Sequence, residues 1–160
     1  MADNDTKPEN SAAPVLLCTD GSDLALEALR AGLAVIDPSA PMTLVTVIAE
    51  PDYSLVTGTG FAGGTISVET LEQDMDLSRQ HGREVLAETR AALGLEPLDE
   101  LLREGDAGHQ ICSLAEELSA RAIVLGSRGR GGLRRAVLGS VSDHVVRHAP
   151  CAVVVSTSTD

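Results

Sequence analysis

Residues 122–142 read AIVLGSRGRGGLRRAVLGSVS and contain the signals of a strand, a loop and the start of a helix. The run AIVLG is short and apolar, as in a strand that is buried on both faces. Glycines follow at positions 126, 129, 131, 132 and 139, and residues 141–148 are predicted to form a short helix that Gly139-Ser140 opens. A buried strand that leads through a loop into a helix is the repeating unit of α/β proteins.

The same alternation continues on both sides of this stretch. Apolar runs predict strands at residues 15–19, 42–49, 122–126 and 151–156. Helical spacing predicts helices at residues 68–93, 107–119 and 141–148, and a first helix through Leu26, Leu29, Leu33 and Ile36 that Asp37-Pro38 closes. Residues 98–104 contain helix-forming side chains, but their place between Gly94 and Gly105-Asp106 favours a peripheral strand.

Five strands that alternate with four helices require crossover connections, which give a parallel sheet with helices on both faces. We therefore predict a doubly wound α/β domain over residues 14–156, preceded by a flexible polar tail at residues 1–13. Ligands of such sheets bind at the carboxyl ends of the strands, where the strand order reverses. We expect a site where the predicted strands 15–19, 42–49 and 122–126 end.

The composition excludes several classes of protein. The 160 residues suit one domain, and the 43% hydrophobic and 22% charged residues are typical of a globular chain. One Tyr, one Phe and no Trp leave almost no aromatic surface on which single-stranded bases stack. The formal charge of -12 repels phosphate backbones and anionic lipid headgroups. We expect neither nucleic-acid nor membrane partners.

The three cysteines, Cys18, Cys112 and Cys151, are odd in number and share no short spacing, so neither a disulfide framework nor a zinc knuckle is predicted. A reducing compartment fits this pattern. The first residues lack the order of a signal peptide, and we predict a cytoplasmic protein. His144 and His148 lie four residues apart, but zinc sites normally need three or four protein ligands, so a surface position is favoured.

The loop in residues 126–142 has the features of an anion site. Glycines let backbone amides approach a ligand, and the first N–H groups of the following helix are free, with the hydroxyls of Ser140 and Ser142 as further donors. Four arginines and no acid lie there, whereas residues 1–120 hold 22 acids and 6 bases. Glycine and arginine also make soluble, flexible turns, but the strand–loop–helix context favours a phosphate site.

The spacing of these glycines resembles the nucleotide-binding signature of the universal stress protein family: Gly126, two residues, Gly129, nine residues and Gly139-Ser140. The opening segment VLLCTDGSDLALEAL, at residues 15–29, is similar to that of the family. Gly105-Asp106 before a helix and AIVLGSRG at residues 122–129 also match its pattern, so the resemblance covers about residues 14–156. Arg121 and the glycine-rich residues 50–68 depart from that pattern.

The resemblance implies the strand order 3-2-1-4-5 and a site for ATP, with Mg or Mn beside the phosphates. Thr19 and Asp20 would lie beside the adenosine, and Val47 would meet the adenine. Gly126 and Gly129 would pass under the ribose and phosphates, with Ser127 and Arg130 of the same loop in the site. The β and γ phosphates would be bound by Gly139, Ser140, Val141 and Ser142. An Asp that follows a strand also forms Asx turns, which is the alternative role of Asp20.

Phosphoryl transfer needs an oriented nucleophile as well as a phosphate cradle, and no general base or Ser-His pair stands out beside the loop. We therefore hypothesise an ATP-binding regulator of a stress response, with at most slow hydrolysis. In this hypothesis the bound nucleotide orders the loop and biases contacts with a second copy or a regulatory partner. A nucleotide-free interaction module and a genuine ATP hydrolase or kinase remain alternatives. The unguarded apolar edge at residues 151–156 predicts a homodimer, as does the resemblance.

Overall fold

A computed structural model describes residues 13–54, 67–96, 98–127 and 138–157 of the chain. The strands are β1 (Val15–Cys18), β2 (Met42–Ile48), β3 (Asp99–Glu104), β4 (Ala122–Gly126) and β5 (Ala152–Ser156). The helices are α1 (Asp23–Leu33), α2 (Val68–Leu93), α3 (Ala107–Glu117) and α4 (Ser140–His148). The predicted strands and helices are thus confirmed, with ends that differ by one or two residues except in the first helix.

All strand pairs are parallel, and the sheet has the order β3-β2-β1-β4-β5. This confirms the doubly wound sheet and the order 3-2-1-4-5. The central strand β1 pairs with β2 on one side and with β4 on the other, so the chain reverses direction across the sheet at this point. The carboxyl ends of β1, β2 and β4 therefore lie at one edge, beside the reversal, where ligands of such sheets bind.

Each face of the sheet is covered by two helices and an aliphatic core. Leu16 and Leu17 are both 0% exposed although they are neighbours, because successive side chains of a strand point to opposite faces. The cluster that contains Leu16 includes residues of α3 and α4. The cluster that contains Leu17 includes residues of α1 and α2. Among the described residues, no aromatic side chain belongs to either cluster.

The first helix is shorter than its apolar spacing predicted. It ends at Leu33, because the N–H groups of Ala34, Val35 and Ile36 donate to carbonyl oxygens three residues back rather than four. The chain turns there well before Asp37-Pro38, so the prediction that Asp37-Pro38 closes the helix was wrong. At the other end Ser22 caps α1 by accepting from the Ala25 N–H at 3.1 Å.

Two predicted segments lie largely outside the described residues: the polar tail at residues 1–13 and the glycine-rich connection at residues 50–68. In the described part of the chain, no helix combines the length and apolar character that crossing a bilayer requires.

Candidate functional site

The turn after β1 carries the first two predicted ligand residues. Thr19 is 7% exposed and continues the sheet beyond β1, since its N–H donates to the Val45 carbonyl at 2.9 Å. Its own carbonyl accepts from the hydroxyl of Thr46 at 2.8 Å. Its hydroxyl oxygen accepts from the Gly21 N–H at 3.1 Å. Thr19 is therefore held on three sides, and the direction in which the chain leaves the sheet is fixed.

Asp20 stands at the carboxyl end of β1, half-buried, and its Oδ1 accepts from the N–H of Ser22 at 3.0 Å and from the Ser22 hydroxyl at 2.6 Å. This is the Asx turn that the residue order also allowed. Gly21 has φ +79°, a conformation that a side chain would strain, so glycine is required here. The Asp20 carboxylate is thus an acceptor within the turn at the end of β1, and the same Ser22 hydroxyl oxygen caps α1.

Val47 and Val141 pack on the same face of the sheet. Val47 is a half-buried residue near the end of β2, and Val141 is a half-buried residue in the first turn of α4. Both pack against the core cluster that is covered by α3 and α4. The structure thus brings the residue predicted to meet the adenine and a residue predicted to bind phosphate onto one face.

The two ends of the predicted phosphate loop are tied together by short hydrogen bonds. Ser127 follows β4, and its N–H donates to the Ser156 carbonyl at 2.8 Å, which extends the sheet past Gly126. The Ser127 carbonyl accepts from the Gly139 N–H at 2.8 Å and from the Ser142 hydroxyl at 3.0 Å. The Ser142 hydroxyl also lies 3.0 Å from the Gly139 carbonyl, and Ser142 is 2% exposed. We call Ser127, Gly139 and Ser142 the loop clasp.

The clasp changes the role that the sequence suggested for the Ser142 hydroxyl and for the Gly139 N–H. Both donors are already used within the protein, so they hold the loop ends in place. From the sequence, the Ser142 hydroxyl was predicted to donate to phosphate. The spacing of residues does not reveal the direction of this hydroxyl, because that direction depends on tertiary packing. Ser140, in contrast, is exposed at the start of α4.

The start of α4 has no side-chain cap. The N-cap residue is Gly139, which has no side chain that could accept a hydrogen bond from the first turn. The other three helices, α1, α2 and α3, are capped by the side chains of Ser22, Ser67 and Asp106. The intrahelical ladder begins with the Asp143 N–H, which donates to the Gly139 carbonyl at 2.8 Å. The N–H groups of the first turn precede that ladder and carry the positive end of the helix dipole. This is the chemistry of an anion site.

Gly129 and Arg130 lie outside the described residues, as do Arg128, Arg134 and Arg135. Their predicted contacts with the ribose and the phosphates remain predictions from the sequence.

A buried hydroxyl that the sequence analysis missed lies behind the turn after β1. Thr89 of α2 is 6% exposed, and its Oγ1 lies 3.4 Å from the Oγ1 of Thr19. The sequence did contain an indication that Thr89 is buried. Thr89 lies between Leu86 and Leu93 at the helical spacing of the apolar face of α2.

The histidines of α4 stack on one another, with ring centroids 4.3 Å apart. The first ring also packs against Gly108 of α3, where an added Cβ would lie 2.8 Å from the Cγ of His144. Arg147 donates to the Asp143 carboxylate at 2.9 Å and lowers the pKa of that group. Within the described ranges, no group of three or more His, Cys, Asp or Glu side chains is placed to hold a metal ion.

A groove of about 300 Å³ lies between the segment after β2 and the first half of α2, and it contains none of the predicted ligand residues. Its lining residues are Tyr53, Leu71, Glu72, Met75, Asp76 and Arg79.

The parallel sheet, its reversal at β1 and the loop clasped between β4 and α4 define a doubly wound α/β protein. The sequence model of the universal stress protein family matches residues 13–156. A universal stress protein of Methanocaldococcus jannaschii is 30% identical over 151 residues, which cover 92% of this chain and 83% of the relative. Universal stress protein YxiE of Bacillus subtilis is 28% identical over 144 residues, which cover 88% of this chain and 96% of the relative. The chain therefore belongs to the universal stress protein family.

Solved structures show the same fold at lower identity. UspA from Lactobacillus plantarum superposes with a TM-score of 0.71 at 23% identity, covering 90% of this chain and 97% of that chain. A universal stress protein in complex with cAMP has a TM-score of 0.57 at 22% identity, and the match covers 94% of this chain and 100% of that chain. The universal stress protein from Archaeoglobus fulgidus in complex with dAMP has a TM-score of 0.55 at 21% identity, and the match covers 89% of this chain and 96% of that chain.

Proposed function

We propose that this protein is an ATP-binding regulator of a stress response, in which the nucleotide orders residues 126–142 and biases contacts with a second copy or a regulatory partner. The observation that carries the proposal is the uncapped first turn of α4, which the clasp fixes against the end of β4. The family membership and the two similar structures solved with cAMP and dAMP support an adenine nucleotide as the ligand.

In this proposal the base and sugar lie toward β1 and β2, and the phosphates lie toward α4. Thr19 and Asp20 take the adenosine side, where the Asp20 carboxylate is an acceptor for a ribose hydroxyl. Val47 supplies the apolar contact for the adenine. Gly126, the last residue of β4, and Ser127, which follows it, lie beneath the ribose and phosphates in this proposal, because β4 is the neighbour of β1 in the sheet.

The phosphates are held chiefly by backbone amides. The N–H groups of Ser140, Val141 and Ser142 precede the intrahelical ladder of α4, and the Ser140 hydroxyl adds one exposed donor. Gly139 belongs to the site because a residue without a side chain lets phosphate oxygens approach this turn. Gly129, Arg130 and their neighbouring arginines complete the cradle in the proposal.

A magnesium or manganese ion would accompany the phosphates, whose oxygens are hard ligands of the kind these ions prefer. The described residues offer no cluster of three or more His, Cys, Asp or Glu side chains, so the phosphate oxygens are the ligands that the proposal assigns to the ion. The ion would neutralise phosphate charge in an otherwise acidic protein.

The regulatory role is favoured over catalysis because the sequence shows no Ser-His pair and no paired carboxylates beside the loop. Two acids beside the proposed site are held by neighbouring side chains: the Asp20 carboxylate accepts from Ser22, and the carboxylate of Asp143, in the first turn of α4, accepts from Arg147. We therefore propose at most slow hydrolysis. Turnover of ATP at about 1 per second, which is within the ordinary range of enzymes, would overturn this part of the proposal.

Nucleotide that co-purifies with the protein provides the first test. The chain has one Tyr and no Trp, so bound adenine would dominate its absorbance near 260 nm. Acid precipitation followed by chromatography of the supernatant identifies the nucleotide, and calorimetry with ATP and Mg²⁺ measures its affinity. Bound adenine nucleotide or measurable heat is expected. If no bound nucleotide and no heat are detected, the nucleotide-free interaction module is favoured. Rapid product formation would favour a hydrolase or kinase.

We also propose a homodimer through β5. The two edge strands of the sheet differ: Glu100, Arg103 and Glu104 of the β3 edge form ion pairs with the flanking helices, whereas β5 carries no charge. Charged side chains protect an edge from pairing, so β5 is the edge that is open to a second copy. Antiparallel pairing of two β5 strands would extend the sheet across the dimer.

The proposal includes a cytoplasmic location. Its support is the set of three free cysteines, Cys18, Cys112 and Cys151, which suits a reducing compartment.

A further inference from the structure

We propose that Thr89 is a positioning residue for the nucleotide site, acting through Thr19 on the turn that presents Asp20. This inference rests on the proposed function, because it assigns a partner to a turn that is proposed to bind adenosine. It concerns a residue of α2 that lies 70 positions along the chain from Thr19 and is not among the proposed ligands.

The polar groups of Thr19 are satisfied from three directions. Its N–H and carbonyl are held by β2, through Val45 and Thr46. Its hydroxyl oxygen accepts from the Gly21 N–H at 3.1 Å, and the remaining hydroxyl contact is with the Oγ1 of Thr89 at 3.4 Å. Both hydroxyls are buried, so water does not replace this contact when one of them is removed.

The contact bears on Asp20 because of the peptide bond that it reaches. The Gly21 N–H belongs to the peptide plane that follows Asp20, so its bond to Thr19 fixes the orientation of that plane. Gly21 has φ +79°, and Ser22 then donates twice to the Asp20 carboxylate. A rotation of the Thr19 side chain about χ1 would move Oγ1 away from the Gly21 N–H and loosen the turn, while the sheet hydrogen bonds of the Thr19 backbone stayed intact.

Thr89 thereby links the long helix α2 to the exit of the central strand. Leu86 of α2 belongs to the apolar core beneath the sheet, which fixes the position of the helix and hence of the Thr89 hydroxyl. The threonine methyl group can pack among apolar neighbours, whereas the hydroxyl has a specific partner. A shape-conserving substitution separates these two roles.

The test compares Thr89→Val, which keeps the shape and removes the hydroxyl, with Thr89→Ser, which keeps the hydroxyl. Thr43→Val is the matched control, because Thr43 is also buried but lies at the opposite end of β2 from the site. We expect Thr89→Val to raise the Kd for ATP about twofold to threefold, the lower end of the range for one hydrogen bond, because the two oxygens lie 3.4 Å apart. Thr89→Ser and Thr43→Val should bind like the parent protein.

A second measurement needs no nucleotide. Hydrogen exchange of the Gly21 amide, followed by NMR in the ligand-free protein, should be faster in Thr89→Val and unchanged in Thr89→Ser and Thr43→Val. Unchanged Gly21 exchange in Thr89→Val, or an equal loss of affinity in Thr89→Ser, would overturn the inference in favour of simple packing. If the parent protein bound no adenine nucleotide, the proposed function would fail, and the Gly21 exchange would still report whether Thr89 orders the turn.

Discussion

The hydroxyl of Ser142, in the first turn of α4, donates to the carbonyl of Ser127, the residue after β4, over 3.0 Å. Fifteen positions separate the two residues, and the intervening chain contains the glycines and arginines of the predicted phosphate loop. The same carbonyl accepts from the Gly139 N–H, so one oxygen fixes both the entry of the helix and the exit of the strand. Hydrogen bonds within the protein therefore hold Ser127 and the start of α4, the two ends between which the loop runs, against each other.

Replacing Ser142 with alanine should weaken the clasp and destabilise the protein by about 1–2 kcal/mol, because a buried donor to two carbonyl oxygens is lost. Urea unfolding measures the change. Ser140→Ala is the matched control for stability, since Ser140 is exposed at the same helix end and its loss should change the free energy of unfolding by less than about 0.5 kcal/mol. Equal destabilisation by both variants would contradict the clasp.

The fold was predictable because its signals are local. The runs VLLC and AIVLG are apolar on both faces and are followed by residues that turn the chain, so β1 and β4 could be located without knowledge of their neighbours. The β3 strand was harder, since DELLRE has helix-forming residues, and its position between two turn signals decided the prediction. Tertiary pairing with β2 overrides the local preference of this segment.

The candidate site was predictable in place but not in detail. The carboxyl ends of parallel strands share one edge, which located Thr19, Asp20 and Gly126 together. The direction of a hydroxyl depends on contacts between distant parts of the chain, so the inward bond of Ser142 and the contact between Thr19 and Thr89 required coordinates. From spacing alone, a serine near the start of a helix whose hydroxyl is bonded within the protein cannot be distinguished from one whose hydroxyl is open to a ligand.

Amide geometry and charge make different predictions for the phosphate loop. Valine at Gly129 or Gly139 should abolish ATP binding by blocking the approach of phosphate to backbone amides. Arg128→Ala should weaken binding modestly, and this loss should vanish at about 1 M salt, where the screening length is about 3 Å. Calorimetry at two salt concentrations measures both effects. Equal losses for the glycine and arginine variants would show that simple charge holds the ligand.

Proline substitutions in β5 test the proposed dimer. The Ser156 carbonyl accepts from Ser127 and so points toward β4, and alternation then directs the backbone groups of Val155 away from the sheet. Val155→Pro removes an outward N–H and should give a monomeric mass by light scattering at micromolar concentration. Asp99→Pro, at the start of the opposite edge strand β3, is the control that should stay dimeric. A monomeric parent protein would refute the dimer itself.

The free energy of unfolding should fall as the pH rises above about 8.5. Burial, with smaller effects of Cys112 and Cys151, raises the pKa of the Cys18 thiol to about 12. An unfolded cysteine releases its proton near pH 8.5, so between about 8.5 and 12 the unfolded chain binds fewer protons and stability decreases. Urea unfolding of the parent protein and of Cys18→Ala at pH 7 and pH 10 should show a smaller decrease in the variant. An identical decrease would assign the pH effect to other groups.

The contact between Gly108 and His144 couples α4, which begins at the proposed phosphate site, to α3. A Cβ at position 108 would lie 2.8 Å from the His144 ring, so Gly108→Ala must displace that ring or the helix behind it. We expect a loss of about 1–3 kcal/mol in the free energy of unfolding and weaker ATP binding, because the start of α4 shifts away from β4. His144→Gly in the same protein removes both the ring and the Cβ, which would lie 2.8 Å and 2.9 Å from the added Cβ, and should restore most of the affinity that Gly108→Ala costs. A double variant as weak as Gly108→Ala alone would show that the lost binding has another cause than the displaced histidine.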